Sequence, residues 1–304
     1  MTSTIRTDEV HDFTYAVAGA EIEFVRKDRG HGPAVMTRAD GGEVQLSAGG
    51  IDFSSLMESA LPEGSVAMQL VTHDPGGVTM CGQEVDPGRP ALFGPETPVF
   101  GHLPAGVRAT TIVTTVDALG AVADHLGLGA PALQRTRLRM EPTPQVGRLV
   151  DSLRSLTADP GLLEVARNGQ RLMERIAVAL VDDGAAASRP APRRDSGGVV
   201  ALAIEYAEQT GSWLPTLGEL CRASFASEST LRAAFVEVMG IPPTTYFHLR
   251  VLRELRCLLV EADPRTDTVT ELASSLGLTQ FGRVAGRYRL IHGETPSETL
   301  RRSR

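Results

Sequence analysis

The fold of this chain is decided by two similar stretches near its C-terminus. They are TLGELCRASFASESTLRAAFVEVMG at residues 216–240 and TVTELASSLGLTQFGRVAGRYRLIHG at residues 268–293. Each starts with a threonine that can cap a helix, passes through a short turn into a second apolar helix, and ends at glycine. An internal repeat of this kind predicts two helix-turn-helix units. The copies match, 52 to 53 residues apart, at Leu217 with Val269, Leu220 with Leu272, Cys221 with Ala273, Phe235 with Tyr288, Gly240 with Gly293, and Pro243 with Pro296.

Two further features support this interpretation of the repeat. Cys221 and Ala273 are small residues at the point where the two helices of each unit must cross closely. Ser227 and Thr279 stand where the second helix of each unit needs an N-cap. A plain helical bundle with a duplicated hairpin is the alternative, but two copies in register are hard to obtain by chance.

The segment between the copies, Thr244 to Ala262, predicts one connecting helix of about 17 residues. Its apolar stripe consists of Tyr246, Leu249, Leu252, Leu255 and Leu259. Another side carries Arg250, Arg253 and Arg256 at three-residue spacing, which is more often a solvated face than a binding surface. A rigid connector would hold the two units at a fixed separation. If that separation is about 34 Å, each unit can enter a successive major groove of DNA.

These segments resemble the AraC/XylS family of transcription regulators. The resemblance covers the C-terminal third and is carried by residues 227–235, 240–246, 288–297 and 299–302. The N-terminal region is less closely similar to the cupin-like effector domain of the XylS-type branch. The resemblance implies sequence-specific binding to double-stranded promoter DNA, contact with RNA polymerase, a small-molecule effector and usually a homodimer.

The chain departs from the family pattern at several positions. Ala233 stands where the first recognition helix often has arginine, and Phe225 replaces the turn glycine of the first unit. In the second unit, Val284 replaces a frequent aromatic residue and Gly286 a frequently polar one, while Glu254 of the connecting helix replaces a small residue. These changes do not alter the predicted fold, but they affect the family's usual base contacts, so the operator sequence cannot be predicted.

The residues expected to touch DNA lie at the start and on the outward face of each recognition helix. Arg232 and Arg283 are the best candidates for base contacts, because a guanidinium can bind guanine O6 and N7 together. Glu228 could accept a hydrogen bond from cytosine, but an acid in the first turn more often interacts with the helix dipole. The full set is Ser227, Glu228, Ser229, Thr230, Arg232, Thr279, Gln280, Arg283 and Arg287.

The N-terminal region predicts a different architecture, so the fold class is α+β. Short apolar stretches between turn residues, from about 13 to 116, predict an antiparallel barrel or sandwich. Of these two, the family resemblance implies the cupin-like β-barrel. Such a barrel could hold an apolar ligand, although each wall residue is more often ordinary core. No ligand-binding residue is therefore assigned. The expected wall positions are Phe13, Tyr15, Phe24, Met36, Met68, Leu70, Met80 and Phe100.

Helices are predicted from about 117 to 183. One stripe contains Val146, Leu149, Leu153 and Leu156, and a second contains Leu162, Val165, Leu172, Ile176 and Leu180. Both stripes suit a helical hairpin, which could pack against the barrel or form a homodimer seam. The expected domains are an effector-binding and dimerisation domain at 1–184, a linker at 185–198 and a DNA-binding domain at 199–304.

Composition restricts the remaining possibilities. The chain has 304 residues, 42% of them hydrophobic, so two domains with ordinary cores are expected. A net charge of −7 argues against nonspecific coating of nucleic acid. Three scattered cysteines indicate neither a disulfide framework nor a zinc site. The first residues have no apolar signal segment, and a cytoplasmic protein, nucleoid-associated when bound to DNA, is expected.

Motifs for enzymatic chemistry are not apparent. His73 and His102 lack the spacing of a cupin metal site, and there is no phosphate-binding loop or nucleophile elbow. The sequence therefore predicts a regulator without cofactor or metal. A co-regulator that dimerises with a true DNA reader and a cupin-type enzyme are the two alternatives.

Overall fold

The computed structural model confirms the α+β class and places the strands before the C-terminal helices. It describes residues 2–7, 21–28, 32–95, 98–129, 139–165, 167–186 and 196–302. The expected wall positions Phe13 and Tyr15, most of the expected linker and the terminal Arg304 lie outside the described residues.

Eleven strands are described in the N-terminal region, and they form two antiparallel sheets. Sheet A has the order β1-β3-β4-β11-β6-β9, and sheet B has the order β2-β5-β10-β7-β8. Within the described residues no strand pairing joins the two sheets, so the barrel-like unit is open and not closed. The strands are β1 Ser3–Thr7, β2 Glu21–Arg26, β3 Ala34–Asp40, β4 Val44–Ile51, β5 Ser55–Ala60, β6 Ser65–His73, β7 Thr79–Met80, β8 Gln83–Glu84, β9 Ala91–Phe93, β10 Val99–Leu103 and β11 Arg108–Thr115.

Alternation along the strands sends side chains to two separate cores. In β6, Ala67 and Val71 belong to the core that also contains Phe24, Met36 and Met80. Met68 and Leu70 belong instead to the core formed with the following helices. The expectation that they line the barrel interior is therefore wrong, because they have the opposite parity on their strand.

Three helices cover the outer face of sheet A. They are α1 Val116–His125, α2 Pro144–Ala158 and α3 Asn168–Ala186, with a short 3-10 helix at Pro160–Glu164 before α3. The stripe of α2 and the α3 residues Leu172, Ile176 and Leu180 are buried in one core with sheet A, which supports the packing interpretation over a homodimer seam. Leu162 and Val165 precede α3 and are exposed, so their assignment to its stripe is wrong.

The C-terminal region is helical, as expected. Its helices are α4 Ser196–Thr210, α5 Leu217–Ala223, α6 Glu228–Met239, α7 Pro243–Glu261, α8 Val269–Ser275, α9 Phe281–His292 and α10 Pro296–Arg302. Helices α5 and α6 form the first unit, α8 and α9 form the second, and α7 connects them. The apolar stripe predicted for the connector is buried along its whole length. Phe235 and Tyr288 occupy matching, fully buried positions in the two units.

The ends of these helices follow the sequence signals closely. Thr216 and Glu219 form a capping box at the start of α5, and Thr268 caps α8 by accepting a hydrogen bond from the backbone of Glu271. Gly240 and Gly293 end the two recognition helices in the left-handed conformation, with φ of 68° and 79°. The repeat is therefore present in backbone conformation as well as in sequence.

Sheet B packs against the C-terminal helices. Val25, Leu56 and Phe100 belong to the same core cluster as residues of α6 and α7, so the wall position expected for Phe100 is wrong. Across this interface the Tyr246 hydroxyl donates to Glu58 Oε2 at 2.7 Å, and Arg253 Nη2 donates to Glu23 Oε1 at 3.0 Å. The two regions are thus joined by both apolar and polar contacts.

Candidate nucleic-acid interface

The first recognition helix, α6, begins as predicted. Ser227 is its N-cap, and its hydroxyl accepts a hydrogen bond from the Thr230 backbone N–H at 3.2 Å. Glu228, Ser229 and Arg232 are exposed on the side opposite Leu231 and Phe235. The structure therefore gathers all five first-unit candidates at the start and on the open side of this helix.

Arg232 is held by an acidic neighbour one turn earlier. Its Nε and Nη2 atoms both donate to Glu228 Oε1, at 3.0 Å and 2.7 Å. This arrangement occupies part of the guanidinium and fixes its direction along the helix. Glu228 consequently acts on Arg232 as well as standing at the start of the helix, where an acid suits the helix dipole.

The second recognition helix, α9, begins one residue later than expected. Its N-cap is Gln280 and not Thr279, and no side chain accepts a hydrogen bond from its first turn. The cause is one additional residue between the cap and the first core residue, Val284, compared with Ser227 and Leu231 in the first unit. The first N–H groups of α9 therefore lack a side-chain cap, which suits contact with phosphate oxygens.

The second-unit candidates border one groove. It has a volume of about 670 Å³ and lies between α7, the α8–α9 turn and α9. Leu252, Leu278 and Val284 contribute apolar surface to it. Within the described residues, the guanidinium groups of Arg283 and Arg287 make no hydrogen bond or ion pair, and both residues are exposed. The candidates brought together here are Thr279, Gln280, Arg283 and Arg287.

The outward face of α9 carries few long side chains. Gly282 and Gly286 are exposed, and a β-carbon built at either would meet no atom within 4 Å. Leu290, 75% exposed, extends the same face. This side of the helix backbone can therefore approach another surface closely, while Arg283 stands at its margin.

The three arginines of α7 are not on a solvated face. Arg250 pairs with Glu208 at 2.7 Å, Arg253 with Glu23 and Arg256 with Glu294, the last two at 3.0 Å. Their side chains are only 9%, 14% and 12% exposed. The prediction of a solvated face is wrong because the three-residue spacing could not reveal that acidic residues of β2, α4 and the α9–α10 turn lie against this side of α7.

Glu58 lies at the centre of a charged cluster between the two regions. Burial raises the pKa of Glu58 to about 7, although the Tyr246 hydrogen bond and Arg250 act in the opposite direction. Glu23 on β2 and Glu208 on α4 add negative charge nearby. Glu23 Oε2, Arg250 Nε and Arg253 Nε are buried without a hydrogen-bond partner. The interface thus contains polar groups that are only partly satisfied.

The turn of each unit contains one residue in the left-handed conformation. In the second unit it is Gly277, with φ of 76°, and in the first it is Phe225, with φ of 51°. Phe225 is also 91% exposed. Sequence reasoning noted the missing glycine but did not place Phe225 at the interface. The 52-residue spacing between Phe225 and Gly277 was the available signal.

The space between the sheets is small. The larger of two adjoining cavities has a volume of about 50 Å³, and Ile22, Met57, Gln69 and Thr111 line both. Gln69 donates to the Thr111 hydroxyl at 3.2 Å, and its carbonyl oxygen is buried without a partner. Among the described residues no group of three histidines, cysteines or carboxylates could hold a metal ion. No helix of the described chain has the length and apolarity needed to cross a membrane.

Comparison with known proteins identifies the C-terminal part. Residues 220–302 match the family model described as a helix-turn-helix domain. The chain is 32% identical over 110 residues to a probable thc operon regulatory protein of Rhodococcus erythropolis, covering 36% of this chain and 33% of that protein. It is 31% identical over 99 residues to the XylDLEGF operon transcriptional activator 1 of Pseudomonas putida, covering 33% and 30% respectively.

These matches concern only part of each protein, since the chain aligns with about a third of the length of its curated relatives. A solved structure of the AraC-like transcriptional activator CuxR aligns with 84% of this chain and 95% of its own, with 16% identity and a TM-score of 0.41. The assignment rests on the sequence matches and on the two units described above. The C-terminal part of this chain therefore carries a helix-turn-helix domain that is similar to those of the named operon regulators.

Proposed function

We propose that this chain is a transcription regulator that binds specific sequences of double-stranded DNA. One observation carries the proposal: two helix-turn-helix units with matching caps and left-handed helix ends are joined by the single helix α7. The named relatives, which are regulatory proteins of operons, support it for the C-terminal third. They also favour a regulator over an enzyme, and no reaction is assigned to the chain.

The two recognition helices would divide their contacts between phosphates and bases. Ser227, Ser229 and Thr230 offer hydroxyls at the start of α6, and Thr279 and Gln280 stand at the start of α9. We assign these residues to the phosphates and the groove edge. Arg232, positioned by Glu228, and Arg283 would bind bases, while Arg287 would add a phosphate contact or a second base contact.

The length of the connector is comparable to the spacing of two successive major grooves. Helix α7 has 19 residues, which at 1.5 Å per residue makes it about 28 Å long. That is slightly less than the repeat of about 34 Å between successive major grooves on one face of DNA. Because α7 is buried along its apolar stripe, it would keep the two units in a fixed relation.

The other functional assignments belong to the same proposal. Residues 1–184 would bind a small-molecule effector and form a homodimer, 185–198 would link the domains, and 199–304 would bind promoter DNA and contact RNA polymerase in the cytoplasm. The cavity between the sheets, about 50 Å³, is smaller than the 300 Å³ or so that drug-sized ligands usually need. Binding an effector of that size there would require the sheets to move apart.

A hydroxyl-radical footprint would test the proposal. Genomic fragments retained by the purified full-length chain are sequenced, and the most enriched fragment is footprinted. We expect two protected segments, about one helical turn apart and on one face of the duplex. A single protected segment, or uniform weak protection, would contradict the assignment of both units to DNA.

One observation favours the alternative of a co-regulator that does not itself read DNA. Ala233, Gly282 and Gly286 are short residues at exposed positions of the two recognition helices, where they offer no side chain that could reach a base. Under that alternative, the chain would retain specific genomic fragments only when a second, DNA-binding protein is present. Footprints obtained with this chain as the only protein would exclude it.

A further inference from the structure

The turn of the first unit holds a bulky residue in a conformation that favours glycine. Phe225 and Gly277 lie 52 residues apart in matching turns, and both have positive φ, 51° and 76°. The second unit thus shows that this turn needs a left-handed residue. For phenylalanine this conformation is strained, because its β-carbon approaches the following carbonyl oxygen.

The strain at Phe225 is not offset by burial. The residues on either side of Phe225 point inward. Ser224 is buried, and its hydroxyl donates a hydrogen bond to the Leu220 carbonyl oxygen. Ala226 packs against the C-terminal core. The Phe225 ring is directed outward and is 91% exposed. A glycine would avoid both the strained backbone and the exposed ring. No contact within the chain offsets the strain at Phe225, and this points to a contact with another molecule.

Phe225 borders the surface already assigned to DNA. It precedes the N-cap Ser227 by two residues, so the two α-carbons are at most about 7 Å apart. Glu228, Ser229 and Arg232 continue this exposed surface along α6. At a groove edge an aromatic ring can contact the apolar part of deoxyribose or a thymine methyl group.

The surroundings of Phe225 favour DNA over a protein surface. A protein partner usually buries a contiguous patch of several hundred Å². The only large hydrophobic residue exposed in α6 is Val236, which is 50% exposed and lies eleven residues after Phe225. The exposed residues that follow at the start of α6, Ser227, Glu228 and Ser229, are instead hydroxyl-bearing or charged.

We propose that Phe225 is a DNA-contacting residue of the first unit, whose ring packs on the sugar edge or a thymine methyl beside the bases that this unit reads. The contact rests on the proposed DNA-binding function. It also makes the two units unequal, since Gly277 offers no side chain at the matching place.

Fluorescence anisotropy with the most enriched genomic fragment and a scrambled duplex tests this contact. The variants are F225G, which relieves the strain and removes the ring, and F225Y, which keeps the ring. Val165→Ala, at an exposed site in the N-terminal region, is the control for loss of a surface apolar group. We expect F225G to melt no lower than the parent but to bind the fragment about tenfold more weakly. F225Y and V165A should stay within about twofold.

Equal binding by F225G and the parent would overturn the contact while leaving the proposed function intact. Unchanged affinity with reduced reporter transcription would also overturn it, because the ring would then serve a protein partner. A parent that does not prefer the enriched fragment over the scrambled duplex would remove both the proposed function and this contact.

Discussion

Whether an arginine of the C-terminal domain stabilises the fold or is available to bind DNA depends on what surrounds its guanidinium. Arg250, Arg253 and Arg256 are largely buried and pair with carboxylates, so they serve the packing of α7. Arg283 and Arg287 are exposed and, among the described residues, unpaired. An exposed, unpaired guanidinium beside a groove is available to phosphate or guanine without first breaking an internal ion pair.

Replacing Arg283 with alanine should weaken binding to the operator by about 1–3 kcal/mol. The expected loss follows from removing a bidentate donor at the margin of the α9 face. Anisotropy titrations at one fixed salt concentration measure it. Arg148→Ala, at an exposed arginine on α2, is the matched control and should leave affinity unchanged. Equal affinities of R283A and the parent would remove Arg283 from the interface.

The ion pair between Glu228 and Arg232 gives a different prediction. In Glu228→Gln the carboxylate that holds Arg232 is lost, and one negative charge is removed from the surface facing DNA. We expect tighter binding to scrambled DNA and therefore a smaller ratio between operator and scrambled affinity. Glu205→Gln, at an exposed acid on α4, is the control. An unchanged ratio in E228Q would show that Glu228 does not position Arg232.

For single residues, the sequence predicts exposure on a helix better than it predicts ion-pair partners. The exposed positions of Ser229, Arg232 and Arg283 could be predicted, because helical periodicity places them opposite the buried Leu231 and Tyr288. The same reasoning failed for Arg253, whose partner Glu23 is 230 residues away. Periodicity identifies an apolar stripe on a helix, but it carries no information on what packs against the other sides.

At the scale of elements, helix ends were the most predictable feature. Threonine or serine caps and the glycines at 240 and 293 stand at the ends of the helices as expected. The start of α9 is the exception, since one additional residue moves the cap from Thr279 to Gln280. The offset between the two copies changes from 52 to 53 residues within this segment, and the sequence pattern does not show on which side of the cap the additional residue lies.

Two glycine substitutions should change stability in opposite directions. Gly240→Ala should lower the free energy of unfolding by about 1 kcal/mol, because φ is 68° there while no atom would obstruct the new β-carbon. Gly218→Ala, inside α5 and equally unobstructed, should raise it by about 0.5–1 kcal/mol through helix propensity. Urea denaturation compares the two. A stabilising G240A would contradict the left-handed helix end.

At the scale of the whole molecule, the interface between sheet B and α7 joins the two regions. Tyr246 and Glu58 are hydrogen-bonded although 188 residues separate them. Neither residue stood out in the sequence, because a tyrosine on an apolar stripe and a glutamate on a strand are both ordinary. The open sheets have a similar origin, since strand alternation predicts faces but not which strands pair.

The interface should make stability depend on pH near neutrality. The pKa of buried Glu58 is raised to about 7, above the value of an exposed glutamate, so the docked state binds a proton that the separated state releases. The stabilisation is complete below about pH 4.5 and is lost as the pH rises through 7. Around Glu58 lie Glu23 on β2, Glu208 on α4, and Tyr246 and Arg250 on α7.

Thermal denaturation between pH 6 and pH 8 measures this dependence. The melting temperature of the parent should fall with rising pH by more than that of Glu58→Gln, which cannot ionise. Glu63→Gln, at an exposed glutamate before β6, is the control and should retain the dependence of the parent. Parallel curves for the parent and E58Q would show that Glu58 does not titrate in this range.

The most direct test of the central claim is a salt titration of DNA binding by the full-length chain. Anisotropy is measured with the most enriched genomic fragment and with a scrambled duplex at several salt concentrations. We predict tighter binding to the enriched fragment by about 10³-fold or more, and a log affinity that falls steeply and linearly with log salt as phosphate contacts are lost. Equal, weak affinity for both duplexes at every salt concentration would contradict the claim that this chain reads DNA.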